Sequence, residues 1–231
     1  MRTLGSAAAA VWIAVATALA IVALTLPLFL NPIWVSFEQG RAQATAWTGY
    51  TDGELQQVTG SILSDLVFGP ADFDASVGGA PVLDEREQSH MRDVRGVFVG
   101  FFGLAIVAAL GGLVIAARRR GDDRIATWRA VRAGAVGLVI VLVVAGVIAL
   151  VAFDWLFETF HALFFAGGSY DFDPTTEKLV QLFPFEFWQE TALAVGAVCI
   201  AVAIAVAAIA TRRLTSRSSL SAAATLEGSR P

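Results

Sequence analysis

The sequence predicts an all-α membrane protein with four transmembrane helices, both termini cytoplasmic, and a small, partly helical extracellular cap between helices 1 and 2. Three observations lead there. The 231 residues are 56% hydrophobic and only 16% charged, against about 45–50% apolar and about 25% charged in ordinary soluble chains. Four stretches carry no charged residue over a bilayer-crossing length: 3–37, with its apolar centre at 7–30, then 96–117, 133–153 and 191–211. A helix of about 21 residues reaches about 31 Å, the thickness of the hydrocarbon core. The third observation is the sidedness of the basic residues. The N-terminus, the segment 118–132 and the tail 212–231 together hold 11 of the 16 Lys and Arg against three acids, a net of +8, while the remaining inter-span segments stand at −12. The positive-inside rule places the first group in the cytoplasm.

Helix 1 is expected over 7–30. Arg2 ahead of an apolar run also opens signal peptides, but this run exceeds the 7–15 residues of such a segment and no small-residue cleavage site follows. The segment 31–93 is too long for a connector. Thr51-x-x-Glu54 reads as a capping box, with Leu55, Val58, Ile62 and Leu66 on one face of the helix behind it and Gly69-Pro70 as its stop. Gly78-Gly79-Ala80-Pro81 reads as a turn, and Asp84-x-x-Glu87 as a second box opening a helix that continues into helix 2, at 94–117. His90 falls in the second turn of that helix.

The loop 118–132 is basic and topogenic. Helix 3 is expected over 133–156 and helix 4 over 188–211, joined by an extracellular aromatic-rich loop at 157–187, in which Asp173-Pro174 reads as the start of a short helix ended by Pro184. Of 24 aromatic residues, 12 lie between Phe153 and Trp188. An interfacial belt needs only a few rings, so this density predicts an aromatic-walled chamber. Gly96, Gly100, Gly103, Gly111 and Gly112 are read as sites of close helix packing, Cys199 as a buried small residue of helix 4, and the tail from 212 as disordered.

Composition narrows the chemistry. A net charge of −4 argues against a nucleic-acid partner, and the absence of a P-loop against a nucleotide. One cysteine and two histidines without an HExxH pattern give no metal site, and no cofactor is expected. Both histidines, His90 and His161, fall at similar depth on the outer side, at the outer ends of neighbouring antiparallel helices. Asp93 stands at i+3 from His90 and Glu158 at i−3 from His161, and a carboxylate beside an imidazole can fix its tautomer and raise its basicity. Two readings stay open: solvated interfacial histidines in helix-end charge clusters, or an acid–base pair serving one reaction.

The stretch 84–95, with Ser89-His90-Met91-Arg92-Asp93-Val94-Arg95 at its end, resembles the first signature of the bacterial lipoprotein intramolecular transacylase family. Phe160-His161-Ala162-Leu163-Phe164-Phe165, then Phe172-Asp173-Pro174, then Leu182-Phe183-Pro184 with Phe187-Trp188, resembles its second. The resemblance runs to about Arg213. Tyr170 stands where the pattern has Trp, and Thr176-Glu177-Lys178 replaces a more Asn/Asp-like stretch. What the resemblance implies is four transmembrane helices under an extracellular cap, with His90 and His161 as catalytic residues at the cap–membrane interface. The implied reaction is transfer of the sn-2 acyl chain of a diacylglyceryl lipoprotein to the amine of its N-terminal cysteine, giving a lyso-form lipoprotein. Partners are then lipid-modified bacterial lipoproteins and membrane lipids, and the location is the bacterial cell membrane, multi-pass, with the active face extracellular. One histidine is expected to take the amine proton and the other to serve the leaving oxygen; His161 as base and His90 at the leaving oxygen is the working assignment, and the sequence leaves the reverse open. Around them, substrate contact or support is expected from Met91, Arg92, Asp93 and Glu158, with Arg92 as candidate oxyanion donor, and from the rings of Phe160, Phe164, Phe165, Tyr170, Phe187 and Trp188. The alternative is a non-catalytic membrane protein whose cap binds a lipid, a peptide or a partner protein. A transporter subunit is disfavoured, because the spans carry no charged group at mid-depth.

Overall fold

The computed structural model describes the backbone of residues 2–120 and 122–228, and the side chains of 6–120 and 123–216. Among the described residues, four helices are long and apolar enough to cross a membrane, at Ser6–Leu28, Glu85–Arg118, Asp123–Val151 and Phe185–Ser216. The protein is thus all-α with four candidate spans, and the chain divides into two compact units.

The first unit comprises 1–24, 103–144 and 197–231. It is built from α1 (Arg2–Thr25) and from parts of α5 (Glu85–Arg118), α6 (Asp122–Val151) and α9 (Phe185–Gly228). Small residues let these helices approach. A side chain at Gly134 would collide with the backbone of Ala14, and one at Gly111 would meet the Trp12 indole, whose Nε1 donates to the Ala108 carbonyl at 3.0 Å. Gly96, Gly100 and Gly103, by contrast, face open space, so of the glycines expected to pack closely it is Gly111 and Gly112, the latter against Ala16, that do so, and Gly134 joins them. Ile21, Ala135 and Ala203 form a small apolar cluster, and Cys199 is buried in the same unit. The tail 212–231 lies partly outside the described residues. Where described, α9 continues through it to Gly228, with no Pro or Gly to interrupt it after Gly196.

The second unit comprises 25–102 and 145–196 and holds both histidines. A 3-10 turn at Leu26–Leu28 ends the first span, because Pro27 cannot supply a backbone donor. Asn31 then caps α2 (Pro32–Arg41), its side chain accepting from the Ile33 and Trp34 amides. After the short α3 (Ala44–Thr48) comes α4 (Asp52–Val67), which opens on the expected reciprocal capping box of Thr51 and Glu54. The Gly78-Gly79 turn, both residues at positive φ, closes a two-stranded hairpin, β1 (Ser76–Val77) with β2 (Ala80–Pro81). Asp84 and Glu87 exchange side chain-to-amide bonds at 2.8 Å each at the head of α5, so the second box forms too.

Two elements differ from the sequence reading. The helix expected over 133–156 breaks at Ala152, where ψ is 49°, and α7 (Phe153–Phe164) starts as a separate helix. Ahead of α8 (Lys178–Leu182), Asp173 does not cap the helix. Its carboxylate accepts from the Thr175 amide and hydroxyl instead, tightening a turn, and the helix starts four residues later behind Glu177.

The apolar core of this unit gathers Val35, Leu55, Val58, Ile62, Phe73, Leu83, Met91, Leu182 and Phe187. A buried polar seam crosses it: Gln39 of α2 donates to the Leu182 carbonyl and accepts from the Thr59 hydroxyl, both at 3.0 Å, tying α2, α4 and α8 together. Arg95 donates to the carbonyls of Asp65 and Gly69, which α4 leaves unpaired where it ends.

Candidate active site

Three elements bring the site together. His90 rides on the second turn of α5, His161 on the third turn of α7, and the non-helical segment 165–177 passes between α7 and α8 beside both. The two imidazoles lie nearly parallel, 6.0 Å between ring centroids and 22° between planes. His90 is only 6% exposed. Its ring meets the edges of Phe165 at 4.8 Å and Phe172 at 5.4 Å. His161 is packed by Phe157 at 4.0 Å, Tyr170 at 5.0 Å, Phe165 at 5.4 Å and Phe160 at 5.5 Å. The pair is therefore packed among the aromatic rings that the sequence concentrates after Phe153.

The two imidazoles differ in their hydrogen bonds. His161 Nδ1 lies 2.8 Å from the Phe157 carbonyl, one turn back on α7. A carbonyl oxygen only accepts, so Nδ1 carries the proton and the neutral ring presents the lone pair of Nε2. His90 Nδ1 is buried and has no hydrogen-bond partner among the described residues, an arrangement costly enough to be rare in a folded protein. Both rings precede or follow the charge-free spans, and both titrate below the usual histidine range. Burial pushes His90 down to about 4, the neighbouring His161 adds to this, and Asp93 opposes it. Burial also lowers His161, against the Phe157 carbonyl and the Glu158 carboxylate, which favour its charged form. Both imidazoles are thus neutral at pH 7.

The remaining expected residues divide. Phe160, Phe165 and Tyr170 touch a histidine directly, and Tyr170 also donates its hydroxyl to Glu158 at 3.2 Å. Asp93 and Glu158 reach the histidines through their charge alone. Phe164 packs on Phe160, and Trp188 contacts Phe157, each one ring removed from His161. Met91 and Phe187 belong to the apolar core. Arg92 is exposed and makes no hydrogen bond or ion pair among the described residues. Two positions after His90 it falls on another face of α5, since only i+3 and i+4 neighbours share a face. The expected oxyanion donor is therefore not at the site.

Four residues of the site escaped the sequence reading of roles. Phe157 packs on His161 and orients it, and its i−4 spacing was the available signal. Phe172 stood in the family-like motif without a role and proves to be a wall of His90. Glu87, read only as a helix box, is 2% exposed and also accepts the Leu179 amide at 2.6 Å, fixing α8 to α5. Arg86, one turn before His90, reaches across to the 165–177 segment.

No group of three or more His, Cys, Asp or Glu side chains among the described residues is arranged to hold a metal ion. Among curated proteins nothing matches this chain. Among solved structures it is similar to the membrane integral lipoprotein intramolecular transacylase Lit from Bacillus cereus, at 17% identity and a TM-score of 0.76, covering 94% of this chain and 99% of the other. Two variants of that protein with a substituted histidine match at 16% identity, with TM-scores of 0.71 and 0.70; each match covers 95% of this chain, and 96% and 97% of theirs. Those likenesses concern the fold. The family described as lipoprotein intramolecular transacylase Lit matches residues 10–188, most of the sequence and both histidines. The chain belongs to the lipoprotein intramolecular transacylase family and is an acyltransferase of the membrane.

Proposed function

We propose that this protein moves the sn-2 acyl chain of a diacylglyceryl lipoprotein onto the α-amine of the same lipoprotein's N-terminal cysteine. The reaction takes place at the extracellular face of the bacterial cell membrane, with lipid-modified lipoproteins and membrane lipids as partners. The observation that carries this reading is the pair of neutral imidazoles, 6.0 Å apart inside a wall of aromatic rings, one with its tautomer fixed and the other with a buried unpaired nitrogen.

The amine nitrogen attacks the ester carbon and passes a proton to His161 Nε2. The C–O bond to the glyceryl oxygen breaks, and that oxygen takes the proton from His161. Ester and amine become amide and alcohol, and no further reactant is consumed. Serving the leaving oxygen, the task first expected of His90, suits it poorly, because a ring held neutral by burial is a weak acid. A neutral imidazole is nonetheless a good hydrogen-bond donor, and the N–H of His90 is the donor for the developing oxyanion once the substrate parts the rings that cover it, a task for which nothing brings Arg92 to the histidines. Because donor and acceptor belong to one substrate, positioning supplies much of the rate; aligned intramolecular reactions reach effective molarities of about 10⁵–10⁸ M. The test is expression in a lipoprotein-producing host that lacks the activity, followed by mass spectrometry of a reporter lipoprotein's N-terminal peptide. The expected product is an N-acyl, S-monoacylglyceryl cysteine. An unchanged diacylglyceryl cysteine with well-expressed protein favours a lipid- or peptide-binding role.

The lowered histidine values set the pH dependence. A base with a depressed pKa loses function only as pH falls below the usual histidine range. Above pH 6.5 the rate is therefore governed by the substrate amine, with a pKa of about 8. The transfer rate should rise about tenfold between pH 6.5 and 7.5, with the histidine ionisation appearing only on the acid side of 6.5. A rate that levels off above an ionisation at 6.5–7 would show solvated imidazoles and contradict the assignment.

A further inference from the structure

The segment 165–177 contributes three of the rings that enclose the imidazoles: Phe165 touches both, Tyr170 touches His161 and Phe172 touches His90. Unlike the helices on either side, it has little regular structure of its own. Its internal bonds are a few turn contacts, among them Ser169 amide to Ala166 carbonyl at 3.1 Å and Thr176 amide to Asp173 carbonyl at 3.1 Å. One side chain from outside grips it at several points. The Arg86 guanidinium donates to the Asp171 carbonyl at 2.8 Å and to the Gly168 carbonyl at 3.4 Å, pairs with the Glu177 carboxylate, and lies 4.6 Å over the centroid of the Phe172 ring. Glu177 in turn accepts the Asp173 amide at 2.5 Å, so the pair also fixes the turn between them. Arg86 stands four residues before His90 on α5, and so projects from the same helix face as the imidazole that the strap covers.

We propose that Arg86 is a positioning residue that ties the 165–177 strap over the two imidazoles and thereby directs the acyl chain to the amine rather than to water. The inference rests on the acyl-transfer reading of the site. A base that removes a proton from an amine can remove one from water as well. With water admitted, its oxygen bonds to the acyl carbon, its proton goes to His161, and the glyceryl oxygen leaves with that proton, releasing a free fatty acid. The aromatic enclosure opposes this competing hydrolysis, and three of its rings are held by a segment whose main external anchor is one guanidinium. The planar fork of arginine reaches two carbonyls and a carboxylate together, which the single ammonium of lysine does not reproduce.

The test compares the full-length wild type with Arg86→Gln, Arg86→Lys and Glu177→Gln, on a reporter diacylglyceryl lipoprotein in detergent. Two quantities are read: hydrogen exchange of peptides covering 169–177, and the share of turnover that yields free fatty acid plus a free N-terminal amine. Arg86→Gln should speed exchange in the strap at least tenfold, leave the 52–67 peptide of α4 unchanged, and raise the hydrolysed share about tenfold. Arg86→Lys and Glu177→Gln should fall between it and the wild type in both quantities. A strap that exchanges at the wild-type rate in Arg86→Gln, or an unchanged hydrolysed share, overturns the inference. Should Arg86→Gln also loosen α4, Glu177→Gln decides, because it leaves α5 and the Arg86 bonds to the Asp171 and Gly168 carbonyls in place; a wild-type product ratio there overturns the inference. A wild type that leaves the reporter's diacylglyceryl group intact overturns the reading of the site instead, and this inference with it.

Discussion

His161→Gln should abolish detectable N-acylation of client lipoproteins while leaving the fold intact. Glutamine fills much of the same space and keeps a polar end, but it has no basic nitrogen. The loss expected for a removed general base is about 10²–10⁴-fold. His90→Gln should cost about 10²–10³-fold, the scale of one lost oxyanion donor. The ordering follows from the structure: one ring has its tautomer fixed by the Phe157 carbonyl and so keeps a basic nitrogen, and the other carries an unpaired buried nitrogen. If the two act as a unit, the double variant will be little worse than His161→Gln alone. Single-turnover rates on a purified diacylglyceryl reporter measure all three. A His161→Gln protein retaining half the wild-type rate would remove the imidazole from the chemistry.

Glu87→Ala should produce the second large effect, on stability. The Glu87 carboxylate accepts the Leu179 amide of α8 at 2.6 Å and the Asp84 amide at 2.8 Å, and it is buried. Burial raises its pKa, the Asp84 and Glu177 carboxylates add to this, and the two amides oppose it only in part. Removing it leaves two amide donors short of partners, at about 1–3 kcal/mol each. A net loss of about 3 kcal/mol corresponds to a melting temperature lower by about 10 °C for a chain of this size. Thermal unfolding in detergent, followed by tryptophan fluorescence, reads this. Glu87→Gln should recover only part of the loss, since its amide can accept from one donor while turning an N–H toward the other. A melting temperature within 2 °C of wild type would mean that α8 is held by its apolar contacts alone.

Much of this arrangement was legible before any coordinates. Charge-free runs locate the four spans because a charged side chain in hydrocarbon is costly, and the two capping boxes formed where their spacing put them. The histidine pair was visible because the chain has only two, and helical spacing tied each to its neighbours. Other features depend on contacts that spacing does not encode. The break at Ala152 occurs within an apolar run that reads as continuous helix. Asp173 could have capped a helix, and only the competing bonds from Thr175 show why it does not. Arg86 and Glu177 are 91 positions apart, and nothing in either neighbourhood announces the other. Arg92 illustrates the opposite error: nearness to His90 in the chain made it a candidate, and the turn of the helix carries it off the site.

The break at Ala152 also gives α7 a start of its own. Every residue added to a helix turns whatever follows by about 100°, so a length change in α6 passed straight into α7 would swing His161 away from its rings. Because the helix is interrupted at Ala152 and α7 makes aromatic contacts of its own, among them Phe153 on Phe185 at 5.1 Å, the rings around α7, and not the helix ahead of it alone, set the direction of His161.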